Sequence, residues 1–164
     1  MSDSTPTSLT DVTLLTHVTD GISDVAVRRV DTPKGVRLEL EAADPAHRLR
    51  LDAVTLECLT WQERETFLRF LEQHDREDAR GRAEVRRGPT DQAVPTLLSV
   101  TNEFGHVDVG AYDGATSEWL QLTAPKLGFT VRLNAAALEG VVWQDRETFT
   151  ELIRERLEDP VTEP

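Results

Sequence analysis

Residues Leu51 to Phe67 read Leu-Asp-Ala-Val-Thr-Leu-Glu-Cys-Leu-Thr-Trp-Gln-Glu-Arg-Glu-Thr-Phe, and residues Leu133 to Phe149 read Leu-Asn-Ala-Ala-Ala-Leu-Glu-Gly-Val-Val-Trp-Gln-Asp-Arg-Glu-Thr-Phe. Trp61 returns as Trp143, an offset of 82 residues that holds backwards without a gap. At that offset Val25 and Val27 meet Val107 and Val109, Leu38 and Leu40 meet Leu120 and Leu122, and Arg50 meets Arg132. Self-similarity at a fixed spacing is the first signal to read for architecture, and this spacing is too long for a solenoid unit. The chain reads as a tandem duplication of one small module.

Upstream of the repeated stretch the residues alternate with period two. Val12 to Val18 forms an extended segment, matched by Leu97, Leu98 and Val100. Val25 and Val27 alternate with Asp24, Ala26 and Arg28, and Val36, Leu38, Leu40 and Ala42 alternate with Arg37, Glu39 and Glu41. Leu49 and Leu51 then alternate with Arg48 and Arg50, as Phe129, Val131 and Leu133 do with Thr130 and Arg132. Such alternation predicts strands with one apolar face. Pro33 and Gly35 mark a turn in Asp31-Thr-Pro-Lys-Gly35, Asp113-Gly-Ala-Thr-Ser does the same work later, and a second turn lies in Ala43-Asp-Pro-Ala-His47. The pattern is an antiparallel meander.

Asp52 and Asn134 are good helix caps, so the residues after them form one helical turn, closed in the second repeat by Gly140, or else continue the strand. Leu59 to Trp61 and Val141 to Trp143 then read as a short fourth strand. From there the period becomes helical, with Phe67, Phe70 and Leu71 matching Phe149, Leu152 and Ile153. The expected fold class is α+β: two tandem pseudo-symmetric repeats, each an antiparallel β-meander of three to four strands followed by one α-helix. The expected boundaries are a disordered lead-in over 1–11, repeat 1 over 12–74, a linker over 75–95, repeat 2 over 96–158 and a tail over 159–164. The linker is charged, holds Gly81, Gly88, Pro89 and Pro95, and reads as a solvated tether. The repeats are expected to form an intramolecular pseudo-dimer, hiding their apolar faces against one another or continuing one sheet into the next.

With 18 Lys and Arg against 30 Asp and Glu, the net charge of −12 opposes nucleic-acid backbones and anionic membranes and favours a basic protein partner. The one cysteine, Cys58, has no internal disulfide partner, which points to a reducing, cytoplasmic setting. The first residues carry neither the basic region nor the apolar core of a signal peptide, and no apolar run approaches the roughly 20 residues of a membrane span.

His17, His47, His74 and His106 fall at no ligand spacing from one another or from Cys58, so no metal is expected. Gly-x-Gly-x-x-Gly, the Walker loop, Gly-x-Ser-x-Gly and Cys-x-x-Cys are all missing, so no cofactor and no catalytic residue is assigned. The candidate positions are those that recur: Arg50 with Arg132, Glu57 with Glu139, Trp61 with Trp143, and Gln62 with Gln144. Glu57 and Glu139 would make an acid–base pair if the repeats brought them together. The plainer reading has the arginines and glutamates in surface ion pairs, the tryptophans anchoring helix on sheet, and the glutamines bonding to backbone.

Val27 to Leu40, Arg48 to Gln62, Val100 to Val109 and Leu122 to Leu133 together resemble small actinobacterial proteins labelled dihydrodiol dehydrogenase. The resemblance implies a small protein that accompanies oxidative or degradative enzymes as a subunit, and it carries over no catalytic residue. The expected function is therefore a non-catalytic accessory or structural subunit, docking on a larger oxidative or amidohydrolase-like enzyme through an acidic surface and a strand edge. The alternatives are a small-ligand binding or catalytic module with its cleft between the repeats, and a single-strand nucleic-acid binder of the Pur or Whirly type, which the charge opposes.

Overall fold

The computed structural model describes residues 10–42, 47–73, 77–88, 94–111 and 116–158. The tail, nearly all of the lead-in and most of the turns after Ala42 and Ala111 lie outside them. The first repeat forms β1 (Asp11–Thr19), β2 (Asp24–Thr32), β3 (Gly35–Ala42) and β4 (His47–Leu51), then α1 (Ala53–Thr60) and α2 (Arg64–Gln73). After α3 (Glu77–Arg82) and β5 (Val85–Arg87), the second repeat forms β6 (Thr96–Asn102), β7 (Gly105–Gly110), β8 (Thr116–Ser117), β9 (Trp119–Ala124) and β10 (Phe129–Asn134), then α4 (Ala135–Val142) and α5 (Arg146–Glu158). The strands make two five-stranded sheets, ordered β4-β3-β2-β1-β8 and β5-β10-β9-β7-β6. No described helix is long and apolar enough to cross a membrane.

The two meanders share one register at the 82-residue offset. Val18 pairs with Val25 as Val100 does with Val107, Val27 with Leu40 as Val109 does with Leu122, and Leu38 with Leu51 as Leu120 does with Leu133. Even the bulge recurs, between Leu14 and Thr16 and again between Thr96 and Leu98. A slip of one residue would turn every apolar side chain to the wet face, so this identity fixes the same face of both sheets toward one core.

Asp52 and Asn134 do start helices. Asp52 Oδ1 accepts from Thr55 N at 2.9 Å, and Asn134 Oδ1 from Ala137 N at 3.0 Å. Each opens a full eight-residue helix, so the meander is followed by a pair of helices and not by a single turn. Leu59 to Trp61 and Val141 to Trp143, read as a fourth strand, are the ends of α1 and α4. Gly140 does not close its helix. It lies inside α4, where an added Cβ would stand 3.1 Å from Leu71 Cγ, 3.2 Å from Phe70 Cβ and 3.3 Å from Phe67 O, so it lets α4 approach α2 closely.

The helices are exchanged between the sheets. α1 packs on β7 and β9 of the second sheet, whereas α4 packs on β2 and β3 of the first; α2 lies on α4, and α5 on α1. All eight residues of α4 are buried, as are Ala53, Leu56, Cys58 and Leu59 of α1. A helix apolar on every side belongs inside a protein, and α4 has the first sheet on one side and α2 and α3 against it elsewhere. Leu38, Leu40, Leu120, Leu122, Leu56 and Leu138 accordingly fall in a single core.

The joining stretch is not a bare tether. Ala79 and Ala83 are buried, and α3 packs against α2 and α4. Asn134 Nδ2 donates to Arg82 O at 2.9 Å, Glu84 N donates to Asn134 Oδ1 at 3.0 Å, and β5 pairs antiparallel with β10.

Neither repeat completes its core alone. Cleavage between Gly88 and Val94 is expected to leave two fragments that co-elute and melt as one, while each fragment expressed separately shows no cooperative transition. Circular dichroism with size-exclusion chromatography checks this, and two independently folded halves would contradict the exchanged packing.

Candidate functional site

Glu57 and Glu139 serve different hairpins. Glu57, on α1, reaches across to the second repeat, where its Oε2 accepts from His106 N at 2.9 Å. Glu139, on α4, reaches back to the first, where its Oε1 accepts from Ser23 Oγ at 2.7 Å. Both carboxylates are 8 % exposed. Ser23 lies in the tight β1–β2 turn and His106 at the start of β7 just after the β6–β7 turn, and the two turns are shaped alike by Asp20 Oδ1 accepting from Ile22 N and Ser23 N, and by Asn102 Oδ1 accepting from Phe104 N and Gly105 N. At Gly105 a Cβ would come within 3.0 Å of Glu57 Cδ, so the glycine admits the carboxylate. The recurring glutamates are reciprocal clamps between repeats. Arg82 reinforces one clamp, bonding Asp20 and, through Nη2, Ser23 Oγ at 3.1 Å. Burial would raise the Asp20 carboxyl, but the amides of Ser23 and Ile22 and the Arg82 guanidinium hold it below its ordinary value.

The other recurring residues are also placed structurally. Gln62 Nε2 donates to Cys58 O at 3.1 Å and Gln144 Nε2 to Gly140 O at 3.2 Å, each closing the end of its helix. Trp143 stacks on His47 of the first sheet with ring centroids 4.7 Å apart. Trp61 lies 4.7 Å beneath the Arg156 guanidinium, which also sits 5.9 Å from Phe129, the counterpart of His47. Burial pushes the Cys58 thiol up to about 12, the Gln62 contact and Arg156 offsetting only part of it.

Arg50 and Arg132 have diverged. Arg50 Nε donates to Glu39 Oε1 at 3.0 Å, and Arg28 reaches Glu39 Oε2 at 3.3 Å. Glu39, only 1 % exposed, is tolerated inside because two guanidinium groups meet it. In the second repeat the cross-strand pair becomes Gln121 and Arg132, and neither Gln121 Oε1 nor Arg132 Nε has a hydrogen-bond partner among the described residues.

A cavity of about 490 Å³ opens beside β4, between the β2–β3 turn, the start of α1 and α5 of the other repeat. Leu49, Leu51, Val54, Phe149 and Ile153 give it an apolar lining, and Lys34, Arg37, Arg50 and Arg146 bring four cations. Its one carboxylate, Asp52, is occupied in capping α1. A second cleft, of about 430 Å³, has the opposite sign, with Asp20, Glu84 and Glu118 against Arg82. Of the expected positions only Arg50 lines the cavity, and Lys34, Arg37 and Arg146 were not singled out by the sequence. The signal that marks Arg146 is its place in the repeated Trp-Gln-x-Arg motif, where Arg64 is its counterpart.

The two repeats differ most beside their last strands. On the second sheet β5 covers the outer edge of β10, Arg86 pairing with Arg132 and the flanking bonds being Gly88 N to Thr130 O at 2.9 Å and Asn134 N to Glu84 O at 3.3 Å. Among the described residues no strand covers the corresponding edge of β4. No group of three or more His, Cys, Asp or Glu among the described residues could hold a metal ion. No protein-family model matches the chain, and no curated protein matches it.

Gln121→Glu should give Arg132 the carboxylate that Arg50 has, stabilising the fold by up to about 1 kcal/mol. Thermal denaturation at low and high salt checks it, since a gain from the new ion pair shrinks with salt. Cys58 should resist iodoacetamide at neutral pH and react fully in denaturant, as mass spectrometry would show.

Proposed function

We propose that the protein is a non-catalytic accessory or structural subunit that docks on a larger enzyme through the outer edge of β4, which no described strand covers. One observation carries this: β5 closes the edge of β10, while the equivalent edge at Leu49–Leu51 faces an open cavity. An uncovered edge presents unpaired backbone donors and acceptors, which another chain's strand satisfies directly. The recurring residues that would supply acid–base chemistry are committed to clamping hairpins, which supports a role other than catalysis. The sequence resemblance supports an oxidative or degradative enzyme as the larger partner, and a lone buried thiol is consistent with the cytoplasm. A second reading, a small anionic ligand held between the repeats, draws on the same cavity, because Arg50 lines it together with α5 of the other repeat.

Arg48 corresponds to Thr130, whose carbonyl accepts from β5, so its backbone faces the open edge. Arg48→Pro would remove a donor from that edge while sparing the ladder to β3. Affinity capture from native lysate is expected to retain a stoichiometric enzyme partner on the wild-type chain and to lose it on Arg48→Pro, at unchanged melting temperature. Equal retention by both proteins, or no partner on either, would overturn the reading.

A further inference from the structure

We infer that the groove beside β4 takes an extended acidic segment of the partner, paired antiparallel with Leu49–Leu51 and placing a carboxylate between Arg37 and Arg50. This rests on the docking reading and specifies the chemistry of what docks.

The second repeat supplies the template. There β5 runs antiparallel to β10 with Val85 opposite Leu133, Arg86 opposite Arg132 and Arg87 opposite Val131. The residues 82 positions earlier are Leu51, Arg50 and Leu49, and all three line the cavity. The neighbouring helix corresponds as well. Arg64, at the start of α2, donates through Nε to Ala83 O at 3.1 Å, holding the segment that leads into β5. Its counterpart Arg146, at the start of α5, lines the groove beside β4, and Phe149, also in the lining, is the counterpart of Phe67. The first repeat therefore has the receiving backbone, the apolar floor and the flanking arginine, and no described residue supplies the segment they would receive.

The charges decide what that segment carries. On the second sheet Arg86 lies over Trp119, its guanidinium 5.0 Å from the ring centroid. The counterpart of Trp119 is Arg37, so an arginine in the place of Arg86 would meet Arg37 and Arg50 and be repelled. A carboxylate there meets both, with Lys34 and Arg146 close by in the lining. Arg50 gives its Nε to Glu39, and among the described residues nothing takes its other guanidinium donors. A small anion would satisfy the cations but leave the edge backbone unpaired, whereas a strand satisfies both.

The test uses the full chain and fluorescence anisotropy with labelled peptides. The first copies residues 77–88, the second is the same peptide with Arg86→Glu, and the third adds an N-methyl group on the backbone nitrogen of that glutamate. The glutamate peptide is expected to bind at least tenfold more tightly than the parent and to lose binding on N-methylation. It should weaken tenfold or more on the Lys34→Glu protein, and on Arg37→Glu the preference should reverse toward the parent peptide. Equal binding of parent and glutamate peptides would overturn the charge assignment, and unaffected binding of the N-methyl peptide would overturn strand addition. Binding that appears only after deletion of residues 1–9 would overturn an outside occupant in favour of the chain's own lead-in. Failure of the docking reading is seen separately: charge-blind peptides with edge-dependent partner capture sink this inference alone, whereas charge-selective peptides without any captured partner sink the docking reading.

Discussion

The structure depends on burial of each repeat's helix against the sheet of the other. Leu56 and Leu59 on α1, and Leu138, Val141 and Val142 on α4, are at most marginally exposed. Each such side chain contributes about 1.5–3 kcal/mol when fully removed from water. Because α1 covers the second sheet and α4 the first, that burial is realised only when both repeats are present. A module of this size would have a marginal core alone, and the exchange merges two thin cores into one. Glu57 and Glu139 then fix the relative position of the repeats, each anchoring the far hairpin to a helix from the opposite side.

Within this frame the repeats agree where the core demands it and differ where it does not. Register, bulge, caps and glutamine closures all coincide at the same offset. The departures sit at helix contacts, on outer faces and at edges. Gly140 allows α4 to approach α2, while Cys58 fills the corresponding place on α1. The Glu39–Arg50 ion pair becomes Gln121 beside Arg132. Largest of all, β5 covers the edge of β10 while α3 packs on α2 and α4, and neither has a described counterpart beside β4. Among the described residues a symmetric scaffold thus presents one edge closed by a strand and one that no strand covers, the asymmetry on which the proposed docking rests.

The strands were legible because a two-residue period admits few readings, and Asp52 and Asn134 announced their helices through cap chemistry. The ends of α1 and α4 misled because a short helix buried all round has no polar face, so Leu59 to Trp61 offered no period to separate helix from strand. Gly140 resembled a stop, since closeness to α2 cannot be seen in one dimension. The joining stretch resembled a tether because what it buries is Ala79 and Ala83, residues too small to register as hydrophobic pattern. The recurrence of Glu57 was visible but its partner was not, because that partner is the backbone amide of His106, which any residue type supplies. The cavity was hidden for a related reason: Lys34, Arg37 and Arg50 lie on separate elements of the first sheet, and Arg146 joins them only through the packing of the second repeat.

An open edge strand is a hazard to the protein that bears it, because the readiest partner for an exposed β4 is the β4 of another copy. The cations around the edge bear directly on this. Antiparallel pairing of two β4 strands about Leu49 would set Arg48 of one against Arg50 of the other, with Lys34 and Arg37 of both nearby. Like charges directly opposed across a ladder are destabilising, and the net charge of −12 on each chain adds repulsion at longer range. Beyond about 8–10 Å that long-range field is largely screened at physiological salt, whereas contacts inside the groove are not. An acidic segment borne by a larger protein therefore reaches the cations at short range, while a second copy meets repulsion at both ranges. On the proposed docking, the residues that would select the partner are the same ones that oppose pairing of the edge with its own copy.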